Sequence, residues 1–261
     1  MTTPSPPDLL FRTCSDTSAG RLNSGKKNHV TASQQQDLPE EFASHSNFWD
    51  HITPTALVST TALLLRAIHI TFDKLYRGEE AERVKIIFIK LGSEAAVAAS
   101  AKVHSAETLA DRLQFSAEKK KNYKGEYLFE WEIPESLVIH RVTMATLLQR
   151  GFSIERLCGP GTAFVGFPRM REFRMEIRHY LRSLRVYNKG LQAGRVACLF
   201  GCQALAGRLA ADLLSTTAPD EPSGRVGRGI AEAVKDYEFE SGGSSDELGW
   251  EMQLSQQVVV W

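Results

Sequence analysis

The chain has 261 residues, of which 43% are hydrophobic, 24% charged and 9% aromatic, and this composition excludes a wholly disordered chain and allows a substantial core. Thirty-one Lys and Arg residues balance thirty-one Asp and Glu residues, so no net charge attracts the chain to nucleic acid, and we expect no nucleic-acid partner. Four scattered cysteines exclude a disulfide scaffold, and the sequence has neither a signal-peptide pattern nor a membrane-length apolar run, so we expect a soluble, intracellular, cytoplasmic protein without a membrane partner.

Two strands and a long polar segment are predicted at the start of the chain. Residues 1–7 are rich in Pro, Ser and Thr, which is typical of a disordered terminus. Residues 9–13 are apolar between turn formers and predict a strand, whereas the polar residues 14–47 predict a long loop with at most one helical turn. Residues 56–61 follow Pro54 and are rich in β-branched side chains, which predicts a second strand.

Three helices and three further strands complete the first half. Apolar residues recur at helical spacing from Leu64 to Leu75, which predicts a helix with Thr61 as its N-cap and an end near Gly78. The segment that begins at Glu126 alternates aromatic residues with glutamates and predicts a half-exposed strand. The remaining elements are a strand at 84–91, a helix at 106–113, strands at 126–134 and 137–142, and a helix at 144–150.

The last third is predicted to be mostly helical and is divided by charge. Nine basic and two acidic residues lie between Arg156 and Arg195, whereas ten acidic and three basic residues lie between Asp212 and Glu251. Opposite charges favour docking of the two segments on each other, with separate partners as the alternative. The predicted elements are helices at 170–188 and 194–214, a Pro/Gly-rich linker at 215–229, a short helix at 230–237 and a terminal strand at 258–260.

Three polar landmarks occur in order along the first half of the chain. Arg12 lies on the first predicted strand, Ser59-Thr60-Thr61 ends the second, and Glu126 opens the later strand that leads to Ile133-Pro134. This order resembles the ADP-ribosyltransferase superfamily of the cholera-toxin-like, Arg-Ser-Glu type. The segments Thr-Pro-Thr-Ala-Leu-Val-Ser-Thr-Thr and Glu-Tyr-Leu-Phe-Glu-Trp-Glu-Ile-Pro resemble more closely still an uncharacterised fungal domain family. The resemblance covers residues 8–150.

The resemblance implies an α+β fold in which two small β-sheets split apart, with helices at their flanks. The corresponding domain would extend over residues 8–155. Residues 156–215 would follow as a basic, mostly α-helical region, and residues 216–261 as an acidic, Gly/Ser-rich tail with a short helix and a terminal strand.

The resemblance also implies that NAD is the substrate and that its nicotinamide–ribose bond is cleaved through an oxocarbenium-like state. Glu126 would stabilise that state from the ribose side, Arg12 would anchor the dinucleotide, and Ser59 would orient Glu126. The implied NAD-binding residues are Arg12, Ser59, Thr60, Thr61, Phe72 and Tyr76, the last two as aromatic covers for the nicotinamide.

The residue two positions before Glu126 departs from the pattern of transferases that modify arginine. Such enzymes usually carry a second glutamate there, whereas this chain has Lys124, which cannot accept a proton at neutral pH. A different protein acceptor, hydrolysis of NAD, or no reaction are therefore alternatives. In the last case the domain would be a catalytically inactive binding or interaction module of the same fold.

No metal site is expected. The seven histidines have no metal-ligand spacing, and Cys198 and Cys202 are predicted to lie on one face of a buried helix. The glycine-rich residues 224–229 follow no strand, so they predict a linker rather than a phosphate-binding loop. His51 precedes the second strand and is predicted to be a turn residue.

Overall fold

The structure is a computed structural model that describes residues 7–16, 18, 21–26, 37–46, 54–91, 102–217 and 223–240. The strands are β1 (Leu9–Cys14), β2 (Leu57–Thr61), β3 (Lys85–Lys90), β4 (Val103–Ser105), β5 (Glu126–Glu130) and β6 (Val138–Thr143). The α-helices are α1 (Leu38–His45), α2 (Leu64–Tyr76), α3 (Ala106–Arg112), α4 (Ala117–Lys120), α5 (Met144–Gln149), α6 (Ile154–Cys158), α7 (Met170–Ser183), α8 (Val186–Cys198), α9 (Gln203–Thr217) and α10 (Ser223–Glu240). The predicted strand at 258–260 lies outside the described residues.

The six strands form one sheet in the order β4-β5-β2-β1-β3-β6. Together with the helices, this confirms the predicted α+β class. The pairings of β1 with β2 and β3, and of β5 with β2 and β4, are antiparallel. The single sheet differs from the two small sheets that the resemblance implied, because β1 and β2 meet in register at Phe11 and Thr61. Near this junction the Ser59 carbonyl accepts a hydrogen bond from the Arg12 side chain, so a side chain helps to join the two halves of the sheet.

Backbone packing divides the chain into two compact units. The first, the sheet unit, comprises Met1–Leu63 and Gly78–Arg141. The second, the helical unit, comprises Leu64–Arg77 and Val142–Trp261. Helix α2 therefore packs with the C-terminal helices, although it lies between two strands of the sheet in the sequence.

Buried side chains cover both faces of the sheet. One cluster contains Phe129 together with Leu10 and Val58, and the other contains Leu128 together with Phe42 of α1. Leu128 and Phe129 are both fully buried, although consecutive side chains of a strand point to opposite faces. The prediction of a half-exposed strand is therefore wrong for the middle of β5, because α1 and α3 cover the face on which Leu128 lies.

The helical unit contains more breaks than the sequence predicts. The helix expected at 170–188 is divided into α7 and α8 at Leu184, whose ψ of 151° is extended rather than helical. Helix α7 is amphipathic, because Phe173, Ile177 and Leu181 are buried whereas Arg171 and Arg182 are exposed. None of the described helices is long and apolar enough to cross a membrane.

A second break separates two cysteines that were expected on one helix. Gly201 adopts a left-handed φ of 70°, which divides the helix predicted at 194–214 into α8 and α9 because glycine takes this conformation without a steric penalty. Cys198 ends α8, whereas Cys202 precedes α9. The prediction that the two thiols share a helix face is therefore wrong.

The glycine-rich residues 224–229 lie inside α10, so the prediction of a linker is wrong. Glycines on α8 and α10 allow the two backbones to approach closely. A β-carbon on Gly190 would lie 2.1 Å from the Val226 carbonyl oxygen, and one on Gly229 would lie 2.3 Å from the Tyr187 carbonyl oxygen. These residues therefore serve helix packing rather than a turn.

Candidate functional site

Arg12 is fixed by backbone carbonyls on both sides. Its Nη1 donates a hydrogen bond to the Ser59 carbonyl oxygen at 2.6 Å, and its Nε donates to the Arg21 carbonyl oxygen. Arg21 has a left-handed φ of 46°, a conformation uncommon for a residue other than glycine. Burial lowers the pKa of the Arg12 guanidinium. The group therefore presents a preoriented cation, with further N–H donors, next to the second landmark of the sequence.

His45 contacts that same landmark and was not identified from the sequence. At the end of α1, its Nε2 lies 2.7 Å from the Ser59 hydroxyl oxygen, and its Nδ1 lies 2.8 Å from the Thr55 hydroxyl oxygen. The pKa of His45 lies below its ordinary value, and burial is the largest cause. The nearby Glu126 carboxylate opposes this shift, whereas the Arg12 guanidinium adds to it. The charges of Arg12 and Glu126 thus both act on an imidazole that is hydrogen-bonded to Ser59.

Glu126 begins β5 and lies directly opposite Thr61 of β2. Ser59 lies opposite Leu128, so the Ser59 and Glu126 side chains project from the same face of the sheet as diagonal neighbours. The amide of Ala62 donates to the Gly125 carbonyl oxygen at 2.7 Å, which holds the start of β5 against the end of β2. The strand register therefore brings the predicted carboxylate and hydroxyl together.

Tyr123 adds an aromatic side chain close to Glu126. Burial raises the pKa of the Tyr123 phenol, a hydrogen bond with Ser46 lowers it, and the Glu126 charge raises it further. The Tyr123 ring lies 5.3 Å from that of Phe42. The phenol is therefore part of the surroundings of Glu126, and its ring packs on α1, the helix that carries His45.

The side chains of Thr60 and Thr61, at the end of β2, form hydrogen bonds with the backbone. The Thr60 hydroxyl donates to the Tyr127 carbonyl oxygen at 2.8 Å, and the Thr61 hydroxyl accepts from the Leu63 amide at 3.1 Å. Both threonines are buried. These hydroxyls fix β2 against β5 and the turn that follows β2, and their binding of NAD stays a prediction.

The two aromatic candidates lie on α2, in the helical unit. Phe72 is buried, and its ring is stacked on that of Phe152 with centroids 5.5 Å apart. Tyr76 is 65% exposed, and its ring lies 6.0 Å from that of Phe167. Their role as nicotinamide covers stays a prediction.

Helix α1 is held in place by a buried carboxylate. Glu41 accepts a hydrogen bond from the Ala56 amide at 2.8 Å and forms an ion pair with Lys26. These contacts tie α1 to the residue before β2 and so place His45 beside Ser59. The sequence does carry a signal for α1, since Pro39 stands in the first turn and two acidic residues follow it.

No group of three His, Cys, Asp or Glu side chains arranged to hold a metal ion is found among the described residues. His51 lies outside the described residues. Lys124 follows a 3-10 helix (Lys121–Tyr123) and precedes the left-handed Gly125, so a lysine side chain occupies the position two residues before Glu126. The arrangement can bind an anion through Arg12 and stabilise developing positive charge through Glu126.

Comparison with models of protein families matches residues 5–147 to the family described as "Domain of unknown function (DUF7587)". The match covers more than half of the chain and includes Arg12, His45, Ser59 and Glu126. No curated protein and no solved structure matches the chain. The four residues of the candidate site therefore all lie within the family's domain.

Proposed function

The chain belongs to the family of the domain of unknown function DUF7587, and we propose that its sheet unit binds NAD and cleaves the nicotinamide–ribose bond. The observation that carries the proposal is the convergence of Arg12, His45 and Glu126 on the Ser59 segment. Three of these four residues, Arg12, Ser59 and Glu126, are those to which the family resemblance of the sequence points. A chance surface arginine and a solvated glutamate would have no reason to lie beside the same strand residue, whose carbonyl oxygen binds Arg12 and whose hydroxyl binds His45.

Arg12 has the chemistry required to anchor a dinucleotide. Hydrogen bonds from Nη1 and Nε to the carbonyl oxygens of Ser59 and Arg21 fix the guanidinium plane. The other N–H groups of the same plane can donate to phosphate or ribose oxygens, and the positive charge complements the pyrophosphate. Orientation by the backbone lowers the entropic cost of holding the bound nucleotide.

Glu126 would stabilise the positive charge that develops on the ribose as nicotinamide departs. A carboxylate placed beside an oxocarbenium-like state lowers its free energy most where water is excluded. Ser59 and His45 are positioning residues in this proposal, since they lie beside Glu126 rather than on the bond that breaks. His45 holds the Ser59 hydroxyl at 2.7 Å.

The acceptor we propose is water or a protein group other than arginine, because Lys124 occupies the position of the second glutamate. In the hydrolytic reaction water adds to the anomeric carbon of the ribose, the bond to nicotinamide breaks, and one proton is released. The products are nicotinamide and ADP-ribose. A lysine at this position does not supply the carboxylate that would accept a proton from a guanidinium group.

The direct test is incubation of the purified chain with NAD and measurement of free nicotinamide. Glu126→Gln should lower the rate about 100-fold or more, as expected for loss of a charge that stabilises the transition state, without changing the melting temperature. Glu132→Gln, at an exposed position near the end of the same segment, is the matched control and should keep full activity. Equal rates for wild type and Glu126→Gln would exclude the catalytic role.

A second candidate is an inactive module that binds a ligand or a partner without chemistry. It is favoured by one observation: Arg12 and His45 already bond to groups of the protein itself, namely two backbone carbonyls and two hydroxyls. Titration with NAD separates the two candidates. Saturable binding of NAD without release of nicotinamide would support the inactive module, whereas release that depends on Glu126 would support the enzyme.

A further inference from the structure

A cleft opens near the beginnings of α8 and α10, which both belong to the helical unit. It has a volume of about 740 Å³ and is lined by Val186 of α8 and by Gly224, Arg225 and Arg228 of α10. A β-carbon on Gly224 would have no neighbour within 4 Å, so the cleft is open at this residue. One turn after Val186, the two backbones are in close contact at Gly190 and Val226. The cleft therefore lies at the end of the interface between the two helices.

Two guanidinium groups give this cleft a positive charge. Arg225 and Arg228 are three residues apart and therefore lie on one face of α10, and both are exposed. Neither forms an ion pair with another residue in the part of the chain that the structure describes. Glu232, four residues after Arg228, accepts a hydrogen bond from the Tyr187 hydroxyl. With Val186 as an apolar wall, the cleft suits a ligand that carries both carboxylates and apolar side chains.

The chain itself contains such a segment shortly after α10. Residues 241–261, which lie outside the described residues, contain three acidic side chains and no Lys or Arg. The sequence Asp246-Glu247-Leu248-Gly249-Trp250-Glu251-Met252, here called the acidic segment of the tail, combines all three carboxylates with apolar side chains. Only Ser and Gly occupy residues 241–245, between this segment and α10. The charge and polarity of the segment therefore complement those of the cleft.

The length of the Ser/Gly stretch matches the distance from the end of α10 to the cleft. Twelve residues separate Arg228 from Glu240, the last residue of α10, and they span about 18 Å because each helical residue rises about 1.5 Å. The six residues from Glu240 to Asp246 span at most about 20–22 Å when extended. The chain can therefore turn back along α10 and bring Asp246 to Arg228, and the residues that follow can reach Arg225.

We propose that the acidic segment of the tail folds back along α10 and docks in this cleft of the same molecule. Asp246 and Glu247 pair with the two arginines, and Trp250 packs against Val186. A segment attached by so short a stretch has an effective concentration of about 1 mM, so a cleft that would bind the free peptide with a Kd of about 0.1 mM is filled about nine-tenths of the time. The sequence predicted docking between the basic and acidic segments, whereas these arginines belong to the acidic segment of residues 212–251 itself.

The test is hydrogen exchange of the full chain, followed by mass spectrometry of the peptides that contain residues 246–252. Their amides should exchange about tenfold more slowly than those of an unstructured chain, as a segment docked nine-tenths of the time requires. Added salt should weaken this protection, since exposed charges are screened. Arg225→Glu/Arg228→Glu should abolish it, and Trp250→Ser should remove most of it because the apolar contact is lost.

A matched control and a charge reversal complete the experiment. Lys90→Glu/Arg112→Glu changes the net charge equally at two exposed positions of the sheet unit and should keep full protection. Adding Asp246→Lys/Glu247→Lys to Arg225→Glu/Arg228→Glu exchanges the signs of both partners and should restore protection, which a misfolded variant could not show. An unprotected segment in the wild type, or equal protection in Arg225→Glu/Arg228→Glu, would overturn the proposal. So would protection that disappears on about hundredfold dilution, as expected for docking on a second copy.

Discussion

The Nε2 atom of His45 lies 2.7 Å from the Ser59 hydroxyl oxygen, and this contact connects α1 to the strand that carries the Ser-Thr-Thr landmark. The other ring nitrogen lies 2.8 Å from the Thr55 hydroxyl oxygen, so the imidazole spans the residues before and within β2. A helix that the sequence did not predict therefore determines how the predicted serine is oriented.

A double-mutant cycle measures the coupling between His45 and Ser59. We expect the free energies of unfolding of His45→Ala, Ser59→Ala and the double variant to be non-additive by about 0.5–3 kcal/mol, because the two side chains share one hydrogen bond. The same cycle between His45 and Ser105, which caps α3 through the Thr108 amide, serves as the control and should be additive. Additive free energies for His45 and Ser59 would contradict the contact.

Stability should fall in acid through His45. Burial lowers its pKa in the folded protein, whereas the unfolded chain titrates near the ordinary 6.5. Below that value the unfolded chain binds a proton that the folded protein resists, so stabilisation present above about pH 6.5 is lost as the pH falls. His45→Gln should therefore lose less stability than wild type between about pH 7 and pH 5 in urea titrations. An equal change in the free energy of unfolding with pH for the two proteins would contradict this prediction.

Much of the sheet could be predicted because its signals are local. The apolar run from Val84 to Leu91 contains β3, and its β-branched residues favour an extended backbone wherever it lies. The helix predicted at 106–113 is capped by Ser105, whose hydroxyl accepts a hydrogen bond from the Thr108 amide at 3.3 Å. Arg12, Ser59 and Glu126 were selected by a resemblance in order and context, which no periodicity alone would have supplied.

The remaining part of the site depends on contacts between distant residues. Helix α1 lies in a polar stretch, and it is stabilised where Phe42 stacks on Phe115 with ring centroids 5.8 Å apart and where Glu41 accepts from the Ala56 amide. Neither partner is close to α1 in the sequence. Its short length gives little periodicity to detect, so His45 could not be assigned to the site in advance.

The carboxyl group of Asp212 should make the protein less stable at neutral pH than an asparagine side chain at the same position. The sequence predicts Thr61 as the cap of α2, yet the Leu64 amide donates to the Asp212 carboxylate at 2.8 Å. Burial raises the pKa of Asp212 from 3.8 to about 6, while bonding to Leu64 and the nearby Arg208 lower it. The folded protein therefore binds a proton more tightly than the unfolded chain, and this stabilisation is lost as the pH rises through about 6.

Asp212→Asn retains an oxygen that can accept from Leu64 and removes the buried charge. We expect the variant to be more stable than wild type at neutral pH by about 1–3 kcal/mol, with the difference shrinking towards about pH 4, where wild-type Asp212 is protonated in the folded state. Asp111→Asn is the control, since Asp111 is exposed and pairs with Lys120. An equal difference at both pH values would show that the amide acts through packing rather than charge.

The contact between α8 and α10 predicts opposite effects for the same substitution at two glycines. A β-carbon on Gly190 would lie 2.1 Å from the Val226 carbonyl oxygen, whereas one on Gly224 has no neighbour within 4 Å. Gly190→Ala should therefore force the helices apart and lower stability by about 1–3 kcal/mol or more. Gly224→Ala should leave stability unchanged or raise it by about 0.5–1 kcal/mol, because alanine loses less backbone entropy in a helix. Thermal unfolding of both variants checks the pair, and a Gly190→Ala variant as stable as wild type would mean that α8 and α10 do not cross at this distance.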